Sequence, residues 1–276
     1  MLRAGRISYT NDLPIYCAFD SGAVQFPGAL VSDVPTALNA RLLDGRLDLS
    51  PVSAFFYAQH ADRLALLPDL CIGSRDQVWS VTLISGLAPE QLDGQQIAVT
   101  SESASGRNLL HVLLERRFGV RAKFVDDPDP LAAAVAGRPA LLIGDRAIDA
   151  QRAVVPEHVY DLGSLWHAWT GLDMVYAVWA VRRDVLSAHE QLVARAHEAL
   201  LNARAWGVAN LERVIAAAQE TRPRGEGFYA AYYRTLNFDF DARARAGLAR
   251  FIEESVAAGT LERSCSVEPE VFHVGR

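Results

Sequence analysis

Cysteine is scarce in this chain: Cys17, Cys71 and Cys265 are far apart and odd in number, so reduced structural thiols are expected rather than a disulfide framework. Clustered basic charge is missing as well. The Arg residues are scattered among Asp and Glu and the net charge is −6, which argues against a surface that tracks phosphates and so against a nucleic-acid partner. The first twenty residues hold a strand, a Pro and an Asp, without a basic stretch leading into a continuous apolar one. No run reaches transmembrane length, so no membrane partner is expected and a cytoplasmic location is.

The familiar catalytic sets are lacking too. There is no Gly-x-Ser-x-Gly elbow, no His-Glu-x-x-His, no Walker loop and no Cys-x-x-Cys pair. His60, His111, His158, His167, His189, His197 and His273 fall mainly within helical patterns or near termini, where packing or surface roles explain them. Metal catalysis is disfavoured on the same ground, and no cofactor and no metal site are expected.

What the chain does have is one recurring device. Ile7-Ser8-Tyr9 reads as a strand end, followed by the polar turn Thr10-Asn11-Asp12 and a helix start at Leu13-Pro14. Similar strand, turn and helix units recur at Leu49-Ser50-Pro51-Val52-Ser53, at Val99 to Gly106, and at Ile143-Gly144-Asp145. In open α/β sheets ligands sit beyond the carboxyl ends of strands, where helix N-termini offer unpaired N–H groups to anions. The pattern therefore points short neutral turns at one cleft.

Half of the 276 residues are hydrophobic, enough for a substantial core, and the length favours two lobes. Strands are expected at Arg3–Tyr9, Ala29–Val31 and Leu47–Leu49, alternating with helices at Leu13–Phe19, Pro35–Leu43 and Ser53–His60, the parallel βαβ arrangement. Two long apolar β-rich runs, Val78–Ile84 and Met174–Val181, bracket a second α/β block and read as paired hinge crossings. That block holds strands at Gln96–Thr100, Lys123–Val125, Ala140–Ile143 and Val159–Leu162, with helices at Ser105–Arg116 and Leu131–Ala136. Beyond Arg182 the pattern is helical, over Gln191–Gln219, Phe228–Arg234 and Asp241–Ala258, interrupted by the breaker-dense loop at 223–227. The expected division is lobe I at 1–83 and 182–276, and an inserted lobe II at 84–181.

Each candidate side chain carries a second reading. Asn11 can cap the helix at Leu13, and Ser53 and Ser105 can cap a helix or face an oxyanion. Asp145 can begin a helix or touch a ligand, and a buried Ser80 hydroxyl needs a partner that a cleft would supply. Trp166, Trp169 and Tyr176 can wall a pocket or fill a core.

Taken together, Tyr9-Thr10-Asn11-Asp12-Leu13-Pro14, Asp48-Leu49-Ser50-Pro51-Val52-Ser53 with Tyr57-Ala58, Ser80-Val81-Thr82-Leu83, Thr100-Ser101-Glu102-Ser103, Leu141 to Asp145, and Tyr160-Asp161-Leu162-Gly163 with Trp166 and Thr170-Gly171 resemble the chorismate dehydratases of futalosine-route menaquinone biosynthesis. The resemblance covers nearly the whole chain. It implies an α/β, two-lobed type 2 periplasmic-binding-protein-like fold with two hinge-strand crossings, with chorismate as the small-molecule substrate in the interlobe cleft. It also implies loss of water from chorismate to give 3-[(1-carboxyvinyl)oxy]benzoate, by an elimination in which the substrate supplies its own base. Asn11 is the implied catalytic residue. Ser53, Ser80, Thr100, Ser103, Ala104, Ser105, Gly106 and Asp145 are the implied substrate-binding set, with no metal, and a homodimer is compatible with the chain.

The sequence departs from the pattern at Ala104, where relatives often carry Thr, and around Asp76-Gln77, where a Gly is common. A sister lyase that makes 1,4-dihydroxy-6-naphthoate and a non-enzymatic binder of small carboxylates share the expected architecture. The first uses a cleft histidine that has no evident counterpart here.

Overall fold

The computed structural model describes residues 1–100, 104–151 and 158–262, and they form two sheets flanked by helices. The first sheet begins with three parallel strands, β1 (Leu2–Ile7), β2 (Gly28–Asp33) and β3 (Leu49–Ser53), linked by α1 (Leu13–Asp20) and α2 (Pro35–Leu43). Pro35 at the first turn of α2 and Gly45 just beyond its end are the signals that set its bounds. After α3 (Ala54–Gln59) comes β4 (Leu64–Ser74), followed by the passage into the second sheet at β5 (Val81–Ile84).

The second sheet continues with β6 (Gln96–Val99), α4 (Ala104–Val112, prolonged by one wide turn over Leu113–Arg117), β7 (Lys123–Asp126), α5 (Pro130–Val135), β8 (Ala140–Ile143), α6 (Gly144–Ala150) and β9 (Val159–Asp161). Its order is β7-β6-β8-β5-β9. The chain then runs through α7 (Leu162–Thr170) into β10 (Met174–Arg182), which returns to the first sheet. Helices α8 (Arg183–Ala209), α9 (Leu211–Thr221) and α10 (Phe228–Thr235), the short β11 (Leu236–Asn237) and α11 (Ala242–Ala257) complete the described chain. The first sheet thus reads β11-β4-β10-β3-β1-β2.

Four expectations need correction. Leu64–Ser74, unassigned from sequence, is an eleven-residue strand buried along nearly its whole length. Its apolar run is interrupted by Pro68-Asp69, where Asp69 takes φ +64 and the register against β10 shifts. Ser50-Pro51-Val52-Ser53 is strand rather than turn, because β10 pairs along it from Val181↔Leu49 to Ala177↔Ser53 and tertiary pairing overrides the local signal.

The two bracketing runs, read alike from sequence, fall in different sheets. Met174–Arg182 lies inside the first sheet, antiparallel to β3 and β4, while Val81–Ile84 lies in the second, antiparallel to β8 and β9. An apolar strand buried on both faces reads the same in either sheet, so sequence alone could not place them. Finally, the long helix expected at Gln191–Gln219 is two, broken at Asn210, whose side-chain N–H donates to the Trp206 carbonyl at 2.8 Å.

One apolar cluster joins the two sheets, running from Leu38 and Val52 through Tyr176 to Leu83, Leu110 and Leu141, with Phe251 of α11 closing it. Trp166, fully buried, belongs to this core, and Trp169 packs against it edge to face. On the outer face α8 crosses α1 so closely that a Cβ on Gly207 would collide with the Pro14 carbonyl. No helix among the described residues is long and apolar enough to cross a membrane.

Candidate active site

Between the sheets lies a cavity lined by residues of both. Asn11, Ser53, Ser80, Ala104, Ser105 and Gly106 line it, together with Tyr9, Gly144 and Tyr176. Four strand-to-helix passages contribute Tyr9 and Asn11, Ser53, Ala104 to Gly106, and Gly144, while Ser80 comes from the link into β5 and Tyr176 from β10, so six of the nine expected site residues meet in one space.

Asn11 sits in a 3₁₀ turn, Thr10–Asp12, between β1 and α1. Asp12, not Asn11, occupies the cap position of α1, and no side chain caps that helix. The Asn11 Oδ1 is buried and has no hydrogen-bond partner. An acceptor left in that condition costs about 1–3 kcal/mol.

The serines do two things at once. Ser53 caps α3 by accepting from the Phe56 N–H at 3.2 Å, and Ser105, in the first turn of α4, accepts from the Phe55 N–H at 3.1 Å. A hydroxyl that accepts still carries a proton to donate, and both serines line the cavity. Ala104, Ser105 and Gly106 form the opening turn of α4, whose first N–H groups have no intrahelical acceptor. Ser80 is 3% exposed, donates weakly to the Val78 carbonyl at 3.4 Å and pairs with the Tyr232 hydroxyl. Its own carbonyl accepts from the Gly144 N–H at 2.7 Å, which ties β5 to the start of α6.

Ser80 is aimed by a strained neighbour. Trp79 has φ +62, a conformation that a bulky residue seldom adopts without being held. Asp161 holds it, accepting from the Trp79 N–H at 2.6 Å, from the Val78 N–H at 3.0 Å and from the Ser164 N–H at 3.1 Å. The Trp79 ring stacks on Tyr232 of α10.

Two expected residues lie elsewhere. Thr100, at the end of β6, borders neighbouring grooves and not this cavity. Asp145 is buried in the first turn of α6 and is absent from the cavity wall; its carboxylate is taken up by Thr10 and Arg224. Ser103, with Ser101 and Glu102, lies outside the described residues. The sequence did not single out Tyr9, Gly144, Pro35 or Leu236 as lining residues. Tyr9 and Gly144 stand in the quoted motifs and could have been found there, whereas Leu236 arrives from β11 with no local signal.

Among the described lining residues none bears a carboxylate, imidazole, ammonium or guanidinium. Burial raises the Tyr176 hydroxyl well above its ordinary value, so it stays protonated. The polar groups on the cavity wall are hydroxyls, the Asn11 amide and the start of α4, among a lining that is otherwise apolar. Among the described residues no three His, Cys, Asp or Glu groups are gathered as a metal site.

Asp12, behind the Asn11 turn, is 1% exposed, and burial pushes its carboxyl up to about 7 against the opposing pull of Arg6 and the Ile7 N–H. Tyr16, also buried, faces the same carboxyl and its hydroxyl is raised in turn. A folded value above the unfolded one adds stability that is present at acid pH and lost as pH rises through about 7. Asp12→Asn, which mimics the protonated acid, should therefore be more stable than the wild type at about pH 8, with an advantage that shrinks as pH falls from about 7 and vanishes only below about pH 4, the unfolded value. Urea unfolding of both proteins across that range checks it, and a difference independent of pH would contradict it.

Two sheet-centred lobes with a cavity between them make a type 2 periplasmic-binding-protein-like fold. A solved protein of Archaeoglobus fulgidus shares it at TM-score 0.73 and 18% identity, over 94% of this chain and 98% of that one. The periplasmic aliphatic sulphonate binding protein of Escherichia coli shares it at TM-score 0.68 and 15% identity, over 100% and 92%. The chain belongs to the menaquinone biosynthesis family, whose profile matches residues 2–257. It is 37% identical to the chorismate dehydratase of Thermus thermophilus over 238 residues, 80% of this chain and 84% of the relative. The 1,4-dihydroxy-6-naphthoate synthase of the same organism is 27% identical over 268 residues, 94% and 95%.

Proposed function

We propose that this protein is a chorismate dehydratase, a carbon-oxygen lyase that converts chorismate to 3-[(1-carboxyvinyl)oxy]benzoate and water in menaquinone biosynthesis. The observation that carries the reading is the buried, unpartnered Asn11 oxygen in a cavity whose other polar groups are neutral donors. The 37% identical dehydratase supports the assignment of substrate.

Such a cavity suits a substrate that brings its own base. The C3–H bond of chorismate breaks and its electron pair becomes the third double bond of the ring, while the C4–O bond breaks and hydroxide departs. The proton passes to the enolpyruvyl carboxylate and then joins the hydroxide as water, so the carboxylate is regenerated. The ring becomes aromatic, which supplies driving force. Asn11 orients the reacting groups, and Ser53, Ser80, Ser105 and the start of α4 hold the carboxylates in fixed geometry. The two buried free thiols, Cys17 and Cys71, accord with a reducing cytoplasm.

The sister synthase reading has less support, since no described lining residue is a histidine. Purified protein is incubated with chorismate, without added metal or cofactor, and the aromatic product is followed by chromatography. Product formation is the expected result. Chorismate that binds and is recovered unchanged would make the protein a carboxylate binder and overturn the proposal.

A further inference from the structure

Asn11 has no hydrogen bond through Oδ1 to hold its aim, so the backbone that carries it must be fixed by other groups. The preceding residue shows how. Thr10 donates its hydroxyl to Asp145 Oδ1 at 2.7 Å and its N–H to Asp145 Oδ2 at 3.3 Å, and its carbonyl accepts from the Tyr233 hydroxyl at 3.0 Å. That carbonyl belongs to the peptide unit leading into Asn11, so its plane is set from outside the first sheet.

Asp145 is itself braced. Arg224, from the loop between α9 and α10, donates Nη2 to Asp145 Oδ1 at 3.1 Å and Nη1 to Asp149 Oδ1 at 2.6 Å, one turn further along α6. Its side chain is 1% exposed, with the guanidinium over the Phe228 ring. A guanidinium shared between two carboxylates on one helix fixes orientation as well as position.

We propose that Asp145 is a positioning residue for Asn11, acting through Thr10, with Arg224 as its support. This rests on the chorismate dehydratase reading and deepens it. The link joins a turn of the first sheet to a helix of the second, so Asn11 is aimed when the two lobes are together and loses its brace when they part. Asp145 replaces its expected role as a substrate contact with this one.

The test uses Asp145→Asn, whose amide would turn an N–H toward groups that are all donors, and the pair Thr10→Val and Thr10→Ser. Asp145→Asn and Thr10→Val should lower kcat on chorismate about 10²-fold with KM within about threefold, whereas Thr10→Ser, which keeps both donors, should stay within about threefold of wild type. In an Asn11→Ala background Asp145→Asn should cause no further loss of kcat, which a general structural role would not predict. Losses that multiply in the double variant, or a raised KM with kcat unchanged, would overturn the inference. Should Asp145→Asn fail to fold, the two Thr10 variants decide the question by themselves. The wild type assayed alongside separates the levels: no product from it removes the functional reading, while product with undiminished kcat in Thr10→Val and Asp145→Asn removes only this one.

Discussion

Asn11→Ala should lose about 10²–10³-fold in kcat on chorismate while unfolding at the same or a slightly higher urea concentration. The two halves of that result have one origin. The Asn11 oxygen makes no bond in the folded protein, so truncation removes an unsatisfied buried acceptor. On the proposed reading, what disappears is a contact made with substrate. Loss of activity at constant or increased stability is the signature of a group kept for chemistry against the interest of the fold. Turnover within a few-fold of wild type, in a variant that folds normally, would assign the orienting role to another residue.

Asp161→Ala should be the most destabilising of the changes considered, by about 3 kcal/mol or more. Its carboxylate accepts from the backbone N–H groups of Val78, Trp79 and Ser164, and burial raises the carboxyl above its ordinary value even though backbone donors pull it down. Removing it strands three N–H groups, each worth about 1–3 kcal/mol when left unpaired, and releases the positive-φ backbone of Trp79. Because Ser80 follows directly, kcat should fall with stability. Denaturant unfolding and chorismate turnover on one preparation check both, and a loss below about 1 kcal/mol would show that Trp79 is held by its ring contacts instead.

Much of the site could be read from the chain because the device that builds it is local. A strand end, a short polar turn and a helix start are written in consecutive residues, so Asn11, Ser53 and the turn at Ala104-Ser105-Gly106 stand out by position, and the cavity gathers them. Helix α2 is legible to the residue for the same reason, since its Pro and Gly signals are within its own ends.

What stays hidden depends on partners distant in sequence. Ser50 to Ser53 becomes strand only because β10, more than a hundred residues later, pairs with it. Asp145 reads as a ligand contact because nothing nearby reveals that Thr10 and Arg224 will claim its oxygens. The strand at Leu64–Ser74 is obscured by the irregularity at Asp69, which breaks the apolar pattern without breaking the pairing with β10.

The apolar seam that runs unbroken from Leu38 to Leu141 has a consequence for how such a protein can evolve. Neither half can be exchanged as a module, because a transplanted half would present Leu83, Leu110 and Tyr176 to a stranger's surface. New specificity must instead come from point changes in the turns, with the two halves inherited as a single unit.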